Sequence, residues 1–244
     1  MTIHKLLIAN RGEIAVRIIR AARELGLATV QVYSKADKDS LAVRLADESV
    51  DIGPPQASKS YLNRDAILVA AKTTGADAIH PGYGFLAENA EFAAAVEAAG
   101  LIFVGPTAQS IRLMGDKVAA REAAAAAGVP TVPGSRGRLE SPEAAFALVK
   151  TTGFPVMIKA AAGGGGRGFA RSAEEFHHLM PQAQAEALAA FGDSGLYVEK
   201  LIEGARHIEV QVLGDGRDVI HCFERECSLQ RRRQKVWEKL PRPR

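Results

Sequence analysis

Lys159 ends a short apolar run, Pro155-Val156-Met157-Ile158, and is followed after three alanines by Gly163-Gly164-Gly165-Gly166-Arg167-Gly168. A strand that ends on an ammonium and opens into backbone without Cβ atoms can fold successive N–H groups around a phosphoryl oxygen, with the lysine as a point charge. Two nucleotide signatures are missing: no Gly-Lys-Ser or Gly-Lys-Thr closes the loop, and no Gly-x-Gly-x-x-Gly follows the first strand. On its residues alone the loop is either a phosphate cradle or a linker. Lys117, after Gly115-Asp116 at a helix start, is a second cation able to flank a triphosphate, although either lysine taken singly reads first as a surface residue. Tyr197-Val198-Glu199-Lys200-Leu201-Ile202 is an apolar strand that stops at a polar pair. That pattern offers backbone and carboxylate groups to an adenine edge, or simply ends a strand. His207, Glu209 and Gln211 alternate with Ile208, Val210 and Val212, giving one apolar strand face and one polar face that lines a cleft or meets solvent.

These residues need elements to carry them. Leu6–Ala9 reads as a strand, Ile14–Leu25 as an amphipathic helix and Ala28–Val32 as a second strand, which is a βαβ signature. Asn63 caps a helix through Ala71, Asp77–His80 is a strand, Glu88–Ala99 a helix, and Leu101–Val104 a strand ending at Gly105-Pro106. The first ~105 residues therefore predict an open, mainly parallel sheet with helices on both faces. Helical runs follow at Ala108–Met114 and Lys117–Ala127, with a domain boundary near 110 to 115. Ser141-Pro142-Glu143 starts a further helix, with serine as cap and proline in the first turn. Then come a strand at Val156–Lys159, a long helix over Ala173–Ala190, and strands at Leu196–Lys200, Ile208–Leu213 and Val219–Phe223, with Asp215-Gly216 as a hairpin turn. The second part is α+β.

A chain of 244 residues, 47% hydrophobic, buries a sizeable core in one large or two small domains. Its net charge of +3 gives no argument for a nucleic-acid partner. Arg231, Arg232, Arg233, Lys235, Lys239, Arg242 and Arg244 nevertheless crowd the end against Glu238, as a solvated tail or an anion-facing wall. Cys222 and Cys227 make neither a disulfide framework nor a zinc site, which suits a reducing cytoplasm. No stretch approaches the roughly 20 apolar residues of a membrane span, and the N-terminal apolar run is too short for a signal peptide. A cytoplasmic protein is expected.

Six motifs, in order and spacing, resemble biotin carboxylase. They are Asn10-Arg11-Gly12-Glu13-Ile14-Ala15; His80-Pro81-Gly82-Tyr83-Gly84-Phe85-Leu86 with Glu88-Asn89; Met114-Gly115-Asp116-Lys117; Lys159 with Gly163–Gly168; Arg206-His207-Ile208-Glu209-Val210-Gln211; and Glu224-Arg225-Glu226-Cys227-Ser228-Leu229-Gln230-Arg231-Arg232. The resemblance runs to about Val236. It implies an α/β N-terminal Rossmann-like (pre-ATP-grasp) domain over 1–112, then an incomplete α+β ATP-grasp domain over 113–236. The activity it implies is an ATP-dependent ligase reaction: bicarbonate is activated as carboxyphosphate with ATP and Mg²⁺, and biotin on a carrier protein is carboxylated. By resemblance, Lys117 and Lys159 hold ATP phosphates, and Gly165 and Gly166 cover them. Glu199, Lys200, Leu201 and Ile202 contact adenine, and His207, Gln230 and position 233 contact the nucleotide. Lys235 holds bicarbonate as the catalytic residue, and Gly84 and Glu88 lie near the biotin ring. The implied partners are a biotin carboxyl carrier protein, a carboxyltransferase component and a second copy in a homodimer. Another ATP-grasp ligase shares the grasp logic, but the His80–Asn89 and Glu224–Arg232 motifs argue against it.

Three departures accompany the resemblance. Arg233 stands where the family usually has histidine, and its longer, permanently charged side chain changes that contact. The stretch after Gly168 is about two residues shorter than in the family. The run Trp237-Glu238-Lys239-Leu240-Pro241-Arg242-Pro243 replaces a common Glu-Glu-Ala-Pro-Ala-Pro stretch, so residues 237–244 are expected to be an out-of-frame tail. The family's metal-binding carboxylates are placed beyond residue 244. No metal ligand is therefore expected in this chain, and the isolated 244 residues are expected to lack biotin-dependent turnover, leaving a non-catalytic ATP-binding or subunit-interaction fragment as the alternative.

Overall fold

Period-two burial in the first strand decides the layering of the first half. In β1 (Lys5–Ile8), Leu6 and Ile8 face one way and Leu7 the other, and all three are buried. Leu6 and Ile8 pack with Ala15, Ile18, Ile19 and Ala22 of α1 (Gly12–Glu24), while Leu7 joins Val30 and Val32 of β2 (Ala28–Tyr33) on the opposite face. A strand that is apolar on both sides must be covered on both sides. The computed structural model describes residues 2–135, 137–139, 141–160, 166–192, 194–231 and 234–239. It divides into two compact units, Met1–Val129 and Pro130–Arg244.

The first unit continues through α2 (Leu41–Leu45), β3 (Glu48–Asp51), α3 (Arg64–Thr74), β4 (Ala78–His80), α4 (Ala90–Ala98) and β5 (Ile102–Phe103). Its five strands are all parallel in the order β3-β2-β1-β4-β5. α1 and Ala42 of α2 cover one face, and Ile67, Ala70 and Ala71 of α3 with Phe92, Ala93 and Val96 of α4 cover the other. The expected open α/β sheet is therefore present. α5 (Ala108–Gly115) adds Ala108 and Ile111 to the same core, and α6 (Lys117–Ala126) follows it within this unit. The order reverses between β1 and β4, so the loops at their carboxyl ends, after Ile8 and after His80, flank a topological switch point. Asn63 caps its helix as expected, accepting from Ala66 N at 3.1 Å, whereas the helix expected from Glu88 starts at Ala90, because Asn89 caps it, accepting from Phe92 N at 2.8 Å. α2 and β3 were not expected. Five residues are too few to show helical periodicity, and β3 is an edge strand of four mostly exposed residues whose place comes from backbone pairing with β2.

In the second unit, α7 (Pro142–Thr152), capped by Ser141, precedes β6 (Val156–Ala160), β7 (Gly166–Ala170), α8 (Ala173–Phe191) and β8 (Leu196–Lys200). The strands form an antiparallel sheet in the order β7-β6-β8. Val156, Ile158, Ala160, Leu196 and Val198 turn to the helices and pack with Ala145, Val149, Phe176, Met180 and Ala187. Met157, Lys159, Tyr197 and Glu199 consequently share the other face. Beyond β8, the 133–139 segment runs alongside: Ser135 N donates to Val198 O and Lys200 N to Pro133 O, each at 2.8 Å. Only glycine fits at Gly134, where a Cβ would stand 2.6 Å from Val198 O. β7 opens at Gly166 and pairs antiparallel with β6. β9 (Ile208–Gly214) and β10 (Val219–Glu226) form an antiparallel hairpin, closed by Asp215, whose Oδ1 accepts from Arg217 N and Asp218 N at 2.8 Å. β11 (Gln230–Arg231) and β12 (Gln234–Lys235) pair after it.

Candidate functional site

In the first unit, the loop after β4 is built from backbone that few side chains tolerate. Gly82, Phe85 and Gly84 have φ of 65°, 38° and 73°. A Cβ on Gly82 would lie 2.7 Å from both Asn10 Nδ2 and Ile14 Cγ2, and Phe85 holds a left-handed conformation costly for a bulky residue. Buried Asn10 holds this loop. Its Nδ2 donates to Pro81 O at 2.7 Å and to Tyr83 O at 2.9 Å, and its Oδ1 accepts from Arg11 N at 2.9 Å. Gln31, also buried, donates to Asn10 O at 2.6 Å. Tyr83 Oη donates to Glu13 Oε1 at 2.7 Å. Burial pushes His80 below its usual value, and its neutral ring accepts from Gly82 N through Nδ1 at 3.0 Å.

Beside the loop, Phe85 stacks on Tyr61 with centroids 5.0 Å apart, and the Arg11 guanidinium packs against both rings at 5.6 and 5.5 Å. Asp37 completes this group, accepting from Tyr61 Oη at 2.8 Å and Ser34 Oγ at 2.7 Å, with Arg11 at 3.6 Å. Burial works to raise the Asp37 carboxyl, but Ser34, Tyr61 and Arg11 together hold it below its usual value. Burial pushes the Tyr61 phenol up to about 12. A concavity of about 400 Å³ lies against Asn10–Ile14, Tyr83, Gly84 and Phe85. Gly84 thus lines a hollow and Glu88 is exposed on the same loop. Asp37 and Tyr61 were missed from sequence, where nothing in their spacing links them to Arg11.

In the second unit, the open face of the β7-β6-β8 sheet brings together Lys159 and Glu199, whose side chains form an ion pair. Lys200 projects to the other side and donates to Phe154 O. Leu201 N donates to Pro155 O at 2.9 Å, and Ile202 beyond it is 51% exposed, so the strand ends in an open apolar step. Gly166 opens β7, Gly165 and Arg233 lie outside the described residues, and of Lys117 only the backbone, at the first position of α6, is described. Asp116 caps that helix, accepting from Ala119 N at 2.9 Å.

A second group gathers on the polar side of β9. His207 Nδ1 meets Gln230 Nε2 at 2.7 Å, and His207 Nε2 lies 3.5 Å from Glu209 Oε1. Lys235 Nζ donates to Glu209 Oε2 at 3.0 Å and to Glu238 Oε1 at 2.5 Å. Glu238 and then Glu209 drive the Lys235 ammonium above its usual range, and Lys235 in turn lowers both carboxyls. Lys235 therefore stays protonated at neutral pH and acts as a fixed cation. Arg225 Nη2 approaches Glu209 Oε2 at 3.4 Å, and the Cys227 thiol is buried 4.0 Å from Glu238 Oε1. Glu238 and Lys239, in the stretch set apart on sequence grounds, are tied into this group: Lys239 and Glu226 exchange two backbone hydrogen bonds of 2.9 Å. Glu209 carries a sequence signal in its alternation with Ile208 and Val210, but nothing in that spacing links it to Lys235. Trp237, between Lys235 and Glu238, is 67% exposed.

Comparison with known proteins finds relatives along nearly the whole chain. The family model for the biotin carboxylase N-terminal domain matches residues 2–111, and that for the carbamoyl-phosphate synthase L chain ATP binding domain matches residues 116–244. A biotin carboxylase of Nostoc sp. is 56% identical over 246 residues, covering 100% of this chain and 55% of the relative. Biotin carboxylase 1 of Bacillus subtilis is 57% identical, covering 99% and 54%. Among solved structures, the biotin carboxylase domain of a thermophilic 2-oxoglutarate carboxylase bound to bicarbonate superposes with a TM-score of 0.90 at 47% identity, over 98% of this chain and 52% of that one. The Campylobacter jejuni biotin carboxylase complex with a β,γ-ATP ligand gives 0.87 at 48% identity, over 99% and 55%. A domain dimer from Hydrogenobacter thermophilus with MgADP and bicarbonate gives 0.83 at 49%, over 98% and 53%. The chain spans about half the length of the curated relatives it matches. Among the described residues no helix is long and apolar enough to cross a membrane.

Proposed function

Because the chain belongs to the biotin carboxylase family, we propose that it takes part in the ATP-dependent carboxylation of biotin, binding the nucleotide through its second unit. The observation that carries this reading is the open sheet face on which Lys159 stands beside Gly166 of β7 and the end of β8. Phosphoryl transfer is mainly positioning and charge neutralisation, and an ammonium with backbone donors supplies both. Lys117 and Lys159 serve the phosphates, with Gly165 and Gly166 over them. Glu199 to Ile202 serve the adenine, with the apolar step at Leu201 and Ile202 as its platform. His207, Gln230 and Arg233 serve the rest of the nucleotide. Lys235, held protonated by two carboxylates, binds bicarbonate as a cation and does not abstract a proton. Gly84 and Glu88, on the rigid loop of the first unit, face the biotin ring. A biotinylated carrier protein, a carboxyltransferase component, a second copy of the chain and a cytoplasmic setting belong to the same reading.

Magnesium supplies charge neutralisation to such phosphates, and it takes oxygen ligands in octahedral geometry. Among the described residues, Glu209, Cys227 and Glu238 place ligand atoms within 4.8 Å of one another. A thiol and two carboxylates already bridged by Lys235 do not suit that ion.

Calorimetric titration of the chain with ADP and ATP tests the proposal. Binding is expected, weakened about tenfold or more in Lys159→Gln through loss of a charge-assisted hydrogen bond of about 1.5–3 kcal/mol. No binding by the folded chain at millimolar nucleotide overturns it.

A further inference from the structure

We infer that His80 is a positioning residue that works only as a neutral ring: its Nδ1 holds the Gly82 peptide, and a proton on that nitrogen frees the loop carrying Gly84 and Glu88 while the sheet beneath stays intact. On the reading above that loop faces biotin, so presentation of this surface becomes pH-dependent. Three backbone groups in a row are held from two sides. Asn10 Nδ2 donates to Pro81 O and Tyr83 O, and the Gly82 N–H between them donates to His80 Nδ1 at 3.0 Å. Gly82 stands at a φ of 65° and has no side chain of its own to fix it, so it takes other conformations once that bond goes.

The ring has one way to do this. Accepting at Nδ1 puts its proton on Nε2, and among the described residues no hydrogen bond reaches Nε2. His80 also lines an apolar hollow of about 440 Å³ with Leu6 of β1, Ile18 of α1 and Val104 after β5. Arg17 is the only other titratable or charged residue lining that hollow, so no carboxylate there offsets a charge on the ring. A proton at Nδ1 sets donor against donor across 3.0 Å and places that charge in the hollow. The strand does not share the fate of the loop, because His80 pairs with Ile8 and accepts from Ala9 N at 2.9 Å through its backbone alone. Burial lowers His80 in the held state, whereas a released ring returns toward the ordinary value of about 6.5. The hold is therefore complete above about pH 6.5 and is lost as pH falls below it toward the depressed value.

A pH titration of the chain and its His80→Asn and His80→Leu variants by ¹⁵N-resolved NMR tests this. Near neutral pH the His80 ring nitrogens should report the Nε2–H tautomer. On acidification His80 should titrate below about 6.5, and the Gly82 amide should move with the same midpoint while Ile79 and Ala9 in the sheet stay still. The released population should grow by up to about tenfold per pH unit inside that window. An asparagine oxygen accepts from the N–H two residues on and does not titrate, so His80→Asn should hold the Gly82 amide at its neutral position throughout. His80→Leu, which has no acceptor, should show the released position at every pH. A merely structural histidine would titrate without moving Gly82. The Nδ1–H tautomer, a midpoint at or above 6.5, a Gly82 amide that ignores His80, or acid release that persists in His80→Asn overturns the inference. Should the variants fail to fold, the tautomer and the matched midpoints of the unaltered chain decide it. The titration contains no biotin, so the latch stands or falls separately from the biotin reading.

Discussion

Replacing Asn10 with alanine removes one amide that serves three backbone groups, and the structure allows its cost to be worked out. Two of the lost hydrogen bonds, to Pro81 O at 2.7 Å and Tyr83 O at 2.9 Å, hold the loop after β4 against the loop after β1. The bond to Pro81 O is buried, so that carbonyl is left without water to replace the donor, a penalty of about 1–3 kcal/mol. The Tyr83 carbonyl and Arg11 N–H are only partly buried and solvent restores most of what they lose, about 0.5 kcal/mol each. Asn10→Ala should therefore destabilise the chain by about 2–4 kcal/mol, with no compensating relief, because the amide fits against Gly82 without strain. Urea unfolding followed by far-ultraviolet circular dichroism measures the change through the midpoint at constant slope. Asn10→Asp should be no better, since it turns a carboxylate toward two carbonyl oxygens. A loss below about 0.5 kcal/mol for Asn10→Ala would show that the loop does not depend on this clamp.

Gly82→Ala should cost a similar ~2–4 kcal/mol, because the new methyl meets Asn10 and Ile14 at 2.7 Å while φ stays at 65°; an unchanged melting temperature refutes this. Asp37 has a folded-state pKa held below its ordinary value, so its contribution is present above about pH 4 and lost as pH falls through the depressed value. Asp37→Asn should accordingly be less stable at neutral pH and show a shallower acid limb in pH-dependent melting. Tyr61 has the opposite sign: its pKa of about 12 favours the protonated fold, so stability should fall between about pH 10 and 12, and Tyr61→Phe should flatten that limb. Phe223 is 63% exposed at a φ of 62°, a conformation glycine adopts without penalty, so Phe223→Gly should raise stability by ~0.5–1 kcal/mol, and a lowered melting temperature contradicts it.

What the sequence discloses about the site depends on whether it is local. The apolar run Val156–Ile158 already marks the strand that carries Lys159, and Asn63 and Ser141 announce their helices through side chains that bond within three residues. The ion pair of Lys159 with Glu199 was not legible, because it depends on a register between strands 40 residues apart. The partners of Lys235 were lost for a related reason. Glu209 comes from a strand 26 residues earlier, and Glu238 was read as tail, although its three-residue spacing from Lys235 places it within reach. The cluster of Arg11, Asp37, Tyr61 and Phe85 combines loops from after β1, β2, β3 and β4 that meet only once the sheet is assembled.

Trp237 is the chain's sole tryptophan, and it stands exposed between the lysine that gathers two carboxylates and one of those carboxylates. Its emission comes from one known position, free of the averaging that blurs proteins with several indoles. Any anion that draws Lys235 away from Glu238 rearranges charge within two residues of the fluorophore. The chain thus carries its own optical probe of that corner, readable by steady-state fluorescence without a label.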